Sequence, residues 1–192
     1  MMRILGIDPG LRCTGWGVIM VYGGRLQHIA NGAIQPKPTI DDASRLQIIF
    51  DGLCEVINLH QPDQAAIEQI FVAKSAGSAL RLGMARGVGI LACGVIHLGV
   101  GEISARAVKK AVAGTGTADK KQIQNMVTRL LAVTAHNPDA ADALAIAIAA
   151  SNEAGTAASV GVELGKGQAN GGLSAAISAA LARDDAGNGG KT

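Results

Sequence analysis

Between Arg3 and Ile34 three strand-length apolar runs follow one another closely, and beyond Ala43 the apolar residues change to helical spacing. The first run, Arg3-Ile4-Leu5-Gly6-Ile7-Asp8, is stopped by Pro9-Gly10 and reads as a buried strand that delivers Asp8 to its C-terminal end. Thr14 to Tyr22 and Arg25 to Ile34 are joined by Gly23-Gly24, a two-residue hairpin signal, so three consecutive antiparallel strands are expected. Leu46, Ile49, Phe50, Leu53, Val56 and Ile57 mark an amphipathic helix over Ala43 to Leu59, which Pro62-Asp63 ends. Gln64 to Ile70 is a fourth strand with Glu68 near its C-terminal end, and the helix before it permits a parallel crossover onto the first strand. Val100 to Ser104 adds a fifth short strand. The pattern predicts an α/β fold: a mixed five-stranded sheet, three strands antiparallel and then two parallel, flanked by helices.

Hydrophobic residues make up 48% of the chain but aromatics only 2%, so the core must be built from Ala, Val, Ile and Leu. Ser75 to His97 has helical character yet carries Gly77, Gly83, Gly87, Gly89 and Gly94. Each glycine costs about 1 kcal/mol relative to Ala in a helix interior. Close backbone approach, to the sheet or to a second copy of the chain, would offset that penalty, and a packed, partly dimeric surface is expected here. Helices follow over Ala105 to Ala113 and Lys120 to Val133, separated by a loop at Gly114 to Thr117. A last helix starts after Asn137-Pro138, with Asn137 as N-cap and Pro138 in the first helical position, and is expected to run to about Ser151. Residues 1–152 thus read as one domain, and Glu153 to Thr192, rich in Gly, Ala and Ser and without an aromatic residue, as a disordered tail.

Cys13, Cys54 and Cys93 are odd in number and lack a C-x-x-C pair, which argues against a disulfide framework and against zinc. The N-terminus shows no signal-peptide pattern, and a cytoplasmic protein is expected. The net charge of +2 says little, but Val72 to Ala135 holds nine Lys or Arg against two acids, which suggests a polyanionic partner.

The acids carry the chemistry. Asp139 and Asp142 stand at i and i+3 in the first turn of a helix and so share one face near the positive end of its dipole. Asp142 lies in Ala140-Ala141-Asp142-Ala143-Leu144-Ala145-Ile146, otherwise the pattern of a buried helix, where an unpaired charge is expensive. Asp8 and Glu68 each close an apolar strand, and C-terminal strand edges are where open α/β sheets build sites. Acids converging in one crevice repel unless cations neutralise them, and hard oxygen donors select Mg²⁺ or Mn²⁺. Two such ions can activate a water and stabilise the leaving oxygen of a phosphodiester.

Gly6-Ile7-Asp8-Pro9-Gly10, Ala66-Ile67-Glu68-Gln69-Ile70-Phe71 and Asp139-Ala140-Ala141-Asp142-Ala143-Leu144-Ala145, with Ser78-Ala79-Leu80 and Ala85-Arg86-Gly87 between the last two, resemble in order and spacing the motifs of the RuvC family. Its members are bacterial Holliday-junction resolvases. The resemblance runs from about Met2 to Ser151 and implies an RNase H-like fold and a homodimer that nicks a four-way DNA junction symmetrically with Mg²⁺, leaving 5′-phosphates. It also implies a branch-migration helicase partner of the RuvA and RuvB type. Asp8, Glu68, Asp139 and Asp142 fall on the family's metal-binding acids. Phe71 matches an aromatic placed against junction bases, as stacking on splayed bases would require, although a core role is the alternative. Lys109 and Lys120 match lysines near the active site, while Lys74, Arg81 and Arg86 are further phosphate-contact candidates. Trp16 is expected to pack, and His136 to sit ahead of the last helix without a catalytic role.

Three other readings compete. The Gly6 to Gly10 loop also resembles the phosphate loop of actin-like and sugar-kinase ATP-binding proteins, but those need a second lobe for which 192 residues leave no space. An RNA-processing relative of the YqgF type would share the fold and the acids. A junction-binding protein without catalysis would not need all four carboxylates.

Overall fold

The structure is a computed structural model, and it describes residues 1–69 and 76–160, the side chains of 154–160 excepted. Five strands, β1 (Met2–Asp8), β2 (Thr14–Tyr22), β3 (Arg25–Ile34), β4 (Gln64–Glu68) and β5 (Val100–Ile103), form one sheet in the order β3-β2-β1-β4-β5. The β1/β2 and β2/β3 pairs are antiparallel and the β1/β4 and β4/β5 pairs parallel, as the pattern of runs predicts. Gly23 and Gly24 both adopt positive φ, 55° and 76°, which is what a tight hairpin turn between twisted strands demands.

Helices cover both faces. On one side α1 (Asp42–His60) and α2 (Ala76–Val95) pack on Leu5, Ile7, Val18, Ala65 and Ile67. On the other, α3 (Ala105–Ala113), α4 (Lys120–Leu131) and α5 (Pro138–Val160) pack on Ile4, Ile19, Ala66 and Ile103. This split follows from strand alternation: Ile4, Gly6 and Asp8 share the α5 face of β1, and Ala66 and Glu68 share the same face of β4. The register pairs Ile7 with Ile67, so Asp8 and Glu68 leave adjacent strand ends side by side on one face.

The glycines of α2 divide between the sheet and open surface. Within α2, only Gly89 lies against the sheet, 3.1 Å from the Ile67 side chain for an added Cβ; Gly77, Gly83, Gly87 and Gly94 face open space. The tightest backbone approach occurs under α5, where Gly6, Gly15 and Gly17 form a floor without side chains. A Cβ on Gly6 would collide with the Ala143 carbonyl oxygen and stand 2.7 Å from the Ala147 nitrogen; one on Gly15 would collide with the Asp139 carbonyl. Small residues on both partners let α5 sink onto β1 and β2. Ala140, Ala143, Ala145 and Ala147 are all buried, so α5 is apolar around most of its surface and lies in the centre of its layer.

Asn137 caps α5 as expected: its side-chain oxygen accepts the Ala140 N–H at 2.8 Å. The helix continues to Val160, past the expected end at Ser151, because an Ala-rich helix already nucleated gains one hydrogen bond for each residue it adds. The boundary drawn at residue 152 therefore falls inside α5, and most of the predicted tail, residues 161–192, lies outside the described residues. Trp16 packs, its ring centroid 5.5 Å from that of His60. The three cysteines are free thiols, Cys93 in the core.

Candidate active site

The site lies where the C-terminal ends of β1 and β4 meet the first turn of α5. Carboxylate oxygens of Asp8, Asp139 and Asp142 lie within 4.8 Å of one another. Glu68 joins them from the β4 end, lining with Asp8 and Asp142 a cavity of about 210 Å³ that Lys109 and Lys120 also enter. All four acids singled out in the sequence are thus brought to one place by three elements: two strand ends on the same sheet face and a helix resting on glycines.

The electrostatics are those of an under-neutralised acid cluster. Burial, reinforced by Asp142, Glu68 and Asp139, pushes the Asp8 carboxyl from 3.8 up to about 8. Glu68 is raised by burial and by Asp142, against the pull of Lys120 and Lys109. Asp142 is raised by burial even though the Lys120 ammonium stands 2.5 Å from its carboxylate. That contact in turn raises Lys120. Lys120 comes from the first position of α4, whose Asp119–Gln122 capping box fixes the helix start and so aims the lysine at α5. Two ammoniums, that of Lys120 on a side chain 59% exposed, cannot balance four carboxylates. The donor set is all oxygen, closely spaced and partly desolvated, and it fits hard divalent cations rather than zinc.

Other predicted residues are distributed as follows. Arg81 is exposed and lines a second cavity, about 730 Å³, on the Asp139 side of the cluster. Arg86 turns away from solvent, pairing with Glu102 at 2.6 Å, and is not free to meet a phosphate. Phe71 and Lys74 lie outside the described residues. His136 donates its backbone N–H to Asn31 at 2.7 Å, consistent with its place ahead of α5.

Two residues near the cluster escape sequence reasoning. Arg12 lines the second cavity beside Asp139, and the Cys13 sulfur is within hydrogen-bonding reach of Gln35 (3.5 Å) and Asn137 (3.7 Å). Both follow β1 in the loop to β2, and nothing local signals that this loop abuts a helix more than 120 residues later.

A family model described as crossover junction endodeoxyribonuclease RuvC matches residues 4–150. The chain belongs to the RuvC family. A RuvC of Zymomonas mobilis is 53% identical over 148 residues, covering 77% of this chain and 89% of that one. A Caulobacter RuvC is 51% identical over 152 residues, covering 79% and 90%. Among solved structures, T. thermophilus RuvC in complex with its Holliday junction substrate superposes with a TM-score of 0.76 at 29% identity, covering 80% of this chain and 95% of that one. The sheet order and helix layers described above are therefore the RNase H-like architecture of RuvC, and the acid cluster sits within the matched span.

Proposed function

We propose that this protein is an endonuclease that resolves four-way (Holliday) DNA junctions by symmetric, metal-dependent phosphodiester hydrolysis, in homologous recombination and DNA repair. The observation that carries this reading is the convergence of Asp8, Asp139 and Asp142 at the mouth of the sheet in a RuvC-family chain. Asp8, Glu68, Asp139 and Asp142 would hold Mg²⁺, or Mn²⁺ in its place, with room in chemical terms for two ions. Bound there, the ions would supply an activated water and charge for the leaving oxygen, giving 5′-phosphate products.

The chain's own groups have distinct tasks. The carboxylates would fix where the scissile phosphate sits, because they are carried on two adjacent strand ends and the first turn of α5. Lys120 stands against Asp142 at 2.5 Å, close enough to turn to a phosphate oxygen once cations share the acids' charge. Lys109 lines the same cavity and offers a second cation on the Glu68 side. Arg81 lines the Asp139 side and extends the contact surface for the strand's backbone. Phe71 and Lys74, just after β4, complete the proposed DNA-contact set, Phe71 by stacking on an unpaired base.

Symmetric cutting requires two centres, and a homodimer through α2 supplies them. Leu80, Leu91 and Val95 are 67%, 55% and 56% exposed, and with Met84, Gly87 and Gly94 they recur at three-to-four spacing along one face. Gly83, Gly87 and Gly94 face open space, which would let a second helix approach closely. α2 is long and apolar enough to cross a membrane by length and composition, but Arg81 and Arg86 lie within it and its other side packs on α1, which suits a surface helix. Leu91→Glu is expected to shift the protein from dimer to monomer in sedimentation velocity and to turn paired cuts into single nicks; an unchanged dimer mass would place the interface elsewhere. A branch-migration helicase of the RuvA and RuvB type is the proposed assembly partner, and the cytoplasm the proposed location.

The deciding experiment is cleavage of a synthetic four-way DNA junction, with Mg²⁺ and with EDTA, beside a linear duplex and an RNA–DNA hybrid. Paired nicks in the junction alone, abolished by EDTA, are expected. Cutting of the hybrid instead, or tight junction binding without cutting, would discard the function while leaving the fold intact.

A further inference from the structure

Arg86 sits in the middle of α2, on the side of that helix turned towards β4 and β5. Its Nη2 pairs with Glu102 of β5 at 2.6 Å, and its Nε donates to the backbone carbonyl of Glu68 at 3.3 Å. The next backbone group is held as well: the Gln69 N–H donates to the Ile103 carbonyl at 2.9 Å. Carbonyl and N–H belong to one peptide unit, that between Glu68 and Gln69. It is gripped on one side by a guanidinium and on the other by β5, immediately beyond the Cα that carries the Glu68 carboxylate.

As a contribution to stability alone this arrangement is poorly explained. The Glu102 side chain is 51% exposed, and an ion pair with one partner in water contributes little net free energy, whereas holding an arginine in a 19% exposed position restricts a long side chain. A fixed peptide plane has a clearer use. Glu68 is the last residue of β4, its pairing with β5 is to Ile103 and the pairing of β4 with β1 ends one residue earlier at Ile67, so the orientation of this peptide helps to set the direction of its side chain. The planar guanidinium can bind a carboxylate and a carbonyl at once, which an ammonium cannot do with the same geometry.

We propose that Arg86 is a positioning residue for Glu68, anchored by Glu102, and that it sets the cation affinity of the acid cluster without touching DNA or metal. The inference rests on the reading of Glu68 as a metal-holding acid. Groups that orient ligands in this way alter metal affinity or activity by about 10- to 100-fold when removed.

The test uses the full chain without DNA: Mn²⁺ binding followed by electron paramagnetic resonance of the free ion, with thermal unfolding in EDTA in parallel. Arg86→Gln is expected to weaken Mn²⁺ binding at least about tenfold, with junction affinity in EDTA unchanged within about twofold. Arg86→Lys should recover part of the loss, and Glu102→Gln should shift affinity in the same direction by less. Glu102 is half exposed, so its variant carries the test if Arg86→Gln does not fold. Wild-type Mn²⁺ affinity in Arg86→Gln, or in Glu102→Gln where only that variant folds, would reduce Arg86 to a structural clip and overturn the inference, even with a lowered melting temperature. Glu68→Gln is the reference: unchanged affinity there would remove the reading of Glu68 itself, whereas a loss there without a loss in the Arg86 variants sinks only the positioning role.

Discussion

Asp8→Asn is expected to abolish junction cleavage and, in the same protein, to raise the unfolding midpoint of the metal-free chain at pH 8. The two effects have one cause. The Asp8 carboxyl titrates near 3.8 when unfolded and at about 8 in the fold, because burial and three neighbouring acids disfavour its charge. Between those values the folded state keeps a proton that the unfolded state releases. Stability must then fall as pH rises through that window, by up to about 1.4 kcal/mol per pH unit for one full proton. Below the window the group contributes no difference; above it the penalty is complete. An amide of the same shape carries no charge to desolvate, so the asparagine variant should lose this pH dependence. Thermal unfolding in EDTA at pH 5.5, 7 and 8 checks it. A wild-type midpoint flat across that range, or an asparagine variant less stable than wild type at pH 8, would show that Asp8 is not under the strain its surroundings imply. Added Mg²⁺ should stabilise the wild type more at pH 8 than at pH 5.5, since binding must displace that proton.

Gly6→Ala should be among the most damaging single-methyl additions in the molecule. The new Cβ meets the Ala143 carbonyl oxygen and the Ala147 nitrogen, both backbone atoms of α5 that no rotamer change can move. Either β1 or α5 must shift. Overpacking of this kind typically costs about 1–3 kcal/mol, and the upper end is expected where backbone faces backbone. The functional loss should be larger still. Asp139 and Asp142 ride on α5 and Asp8 on β1, so lifting the helix by about 1 Å separates the acids, a displacement of a size that can lower rates about 100-fold. Urea unfolding and single-turnover cleavage measure the two losses separately. Gly99→Ala, where an added Cβ meets nothing within 4 Å, is the matched control and should be near neutral. Wild-type stability and rate in Gly6→Ala would mean that α5 does not depend on the glycine floor.

Much of this was legible in the chain before folding. Strand-length apolar runs bounded by Gly and Pro indicated the strands, and carboxylates at the ends of those runs indicated Asp8 and Glu68. Asp142 was conspicuous because its neighbours are those of a buried helix. The parallel placement of β4 beside β1 followed from the helix between them. What stayed hidden was whatever depends on two distant segments meeting. Arg86 reads locally as a phosphate-binding cation, and only the approach of β5 supplies Glu102. The glycines of α2 attract notice because they violate helix propensity, whereas Gly6, Gly15 and Gly17 pass as ordinary strand residues until α5 is seen resting on them. Cys13 and Arg12 belong to the same class: their proximity to Asp139 is a property of the docked helix and not of their own loop.

The acid cluster draws Asp8 from β1, Glu68 from β4 and two members from a helix that begins at residue 138. Synthesis from the N-terminal side therefore makes Asp8 and Glu68 well before α5, and the centre is incomplete until α5 has been made and docked. Every premature stop before residue 139 yields a protein that lacks both helix carboxylates. A centre split across the sequence in this way exists only in the docked fold, because neither the strand acids nor the helix acids form it alone.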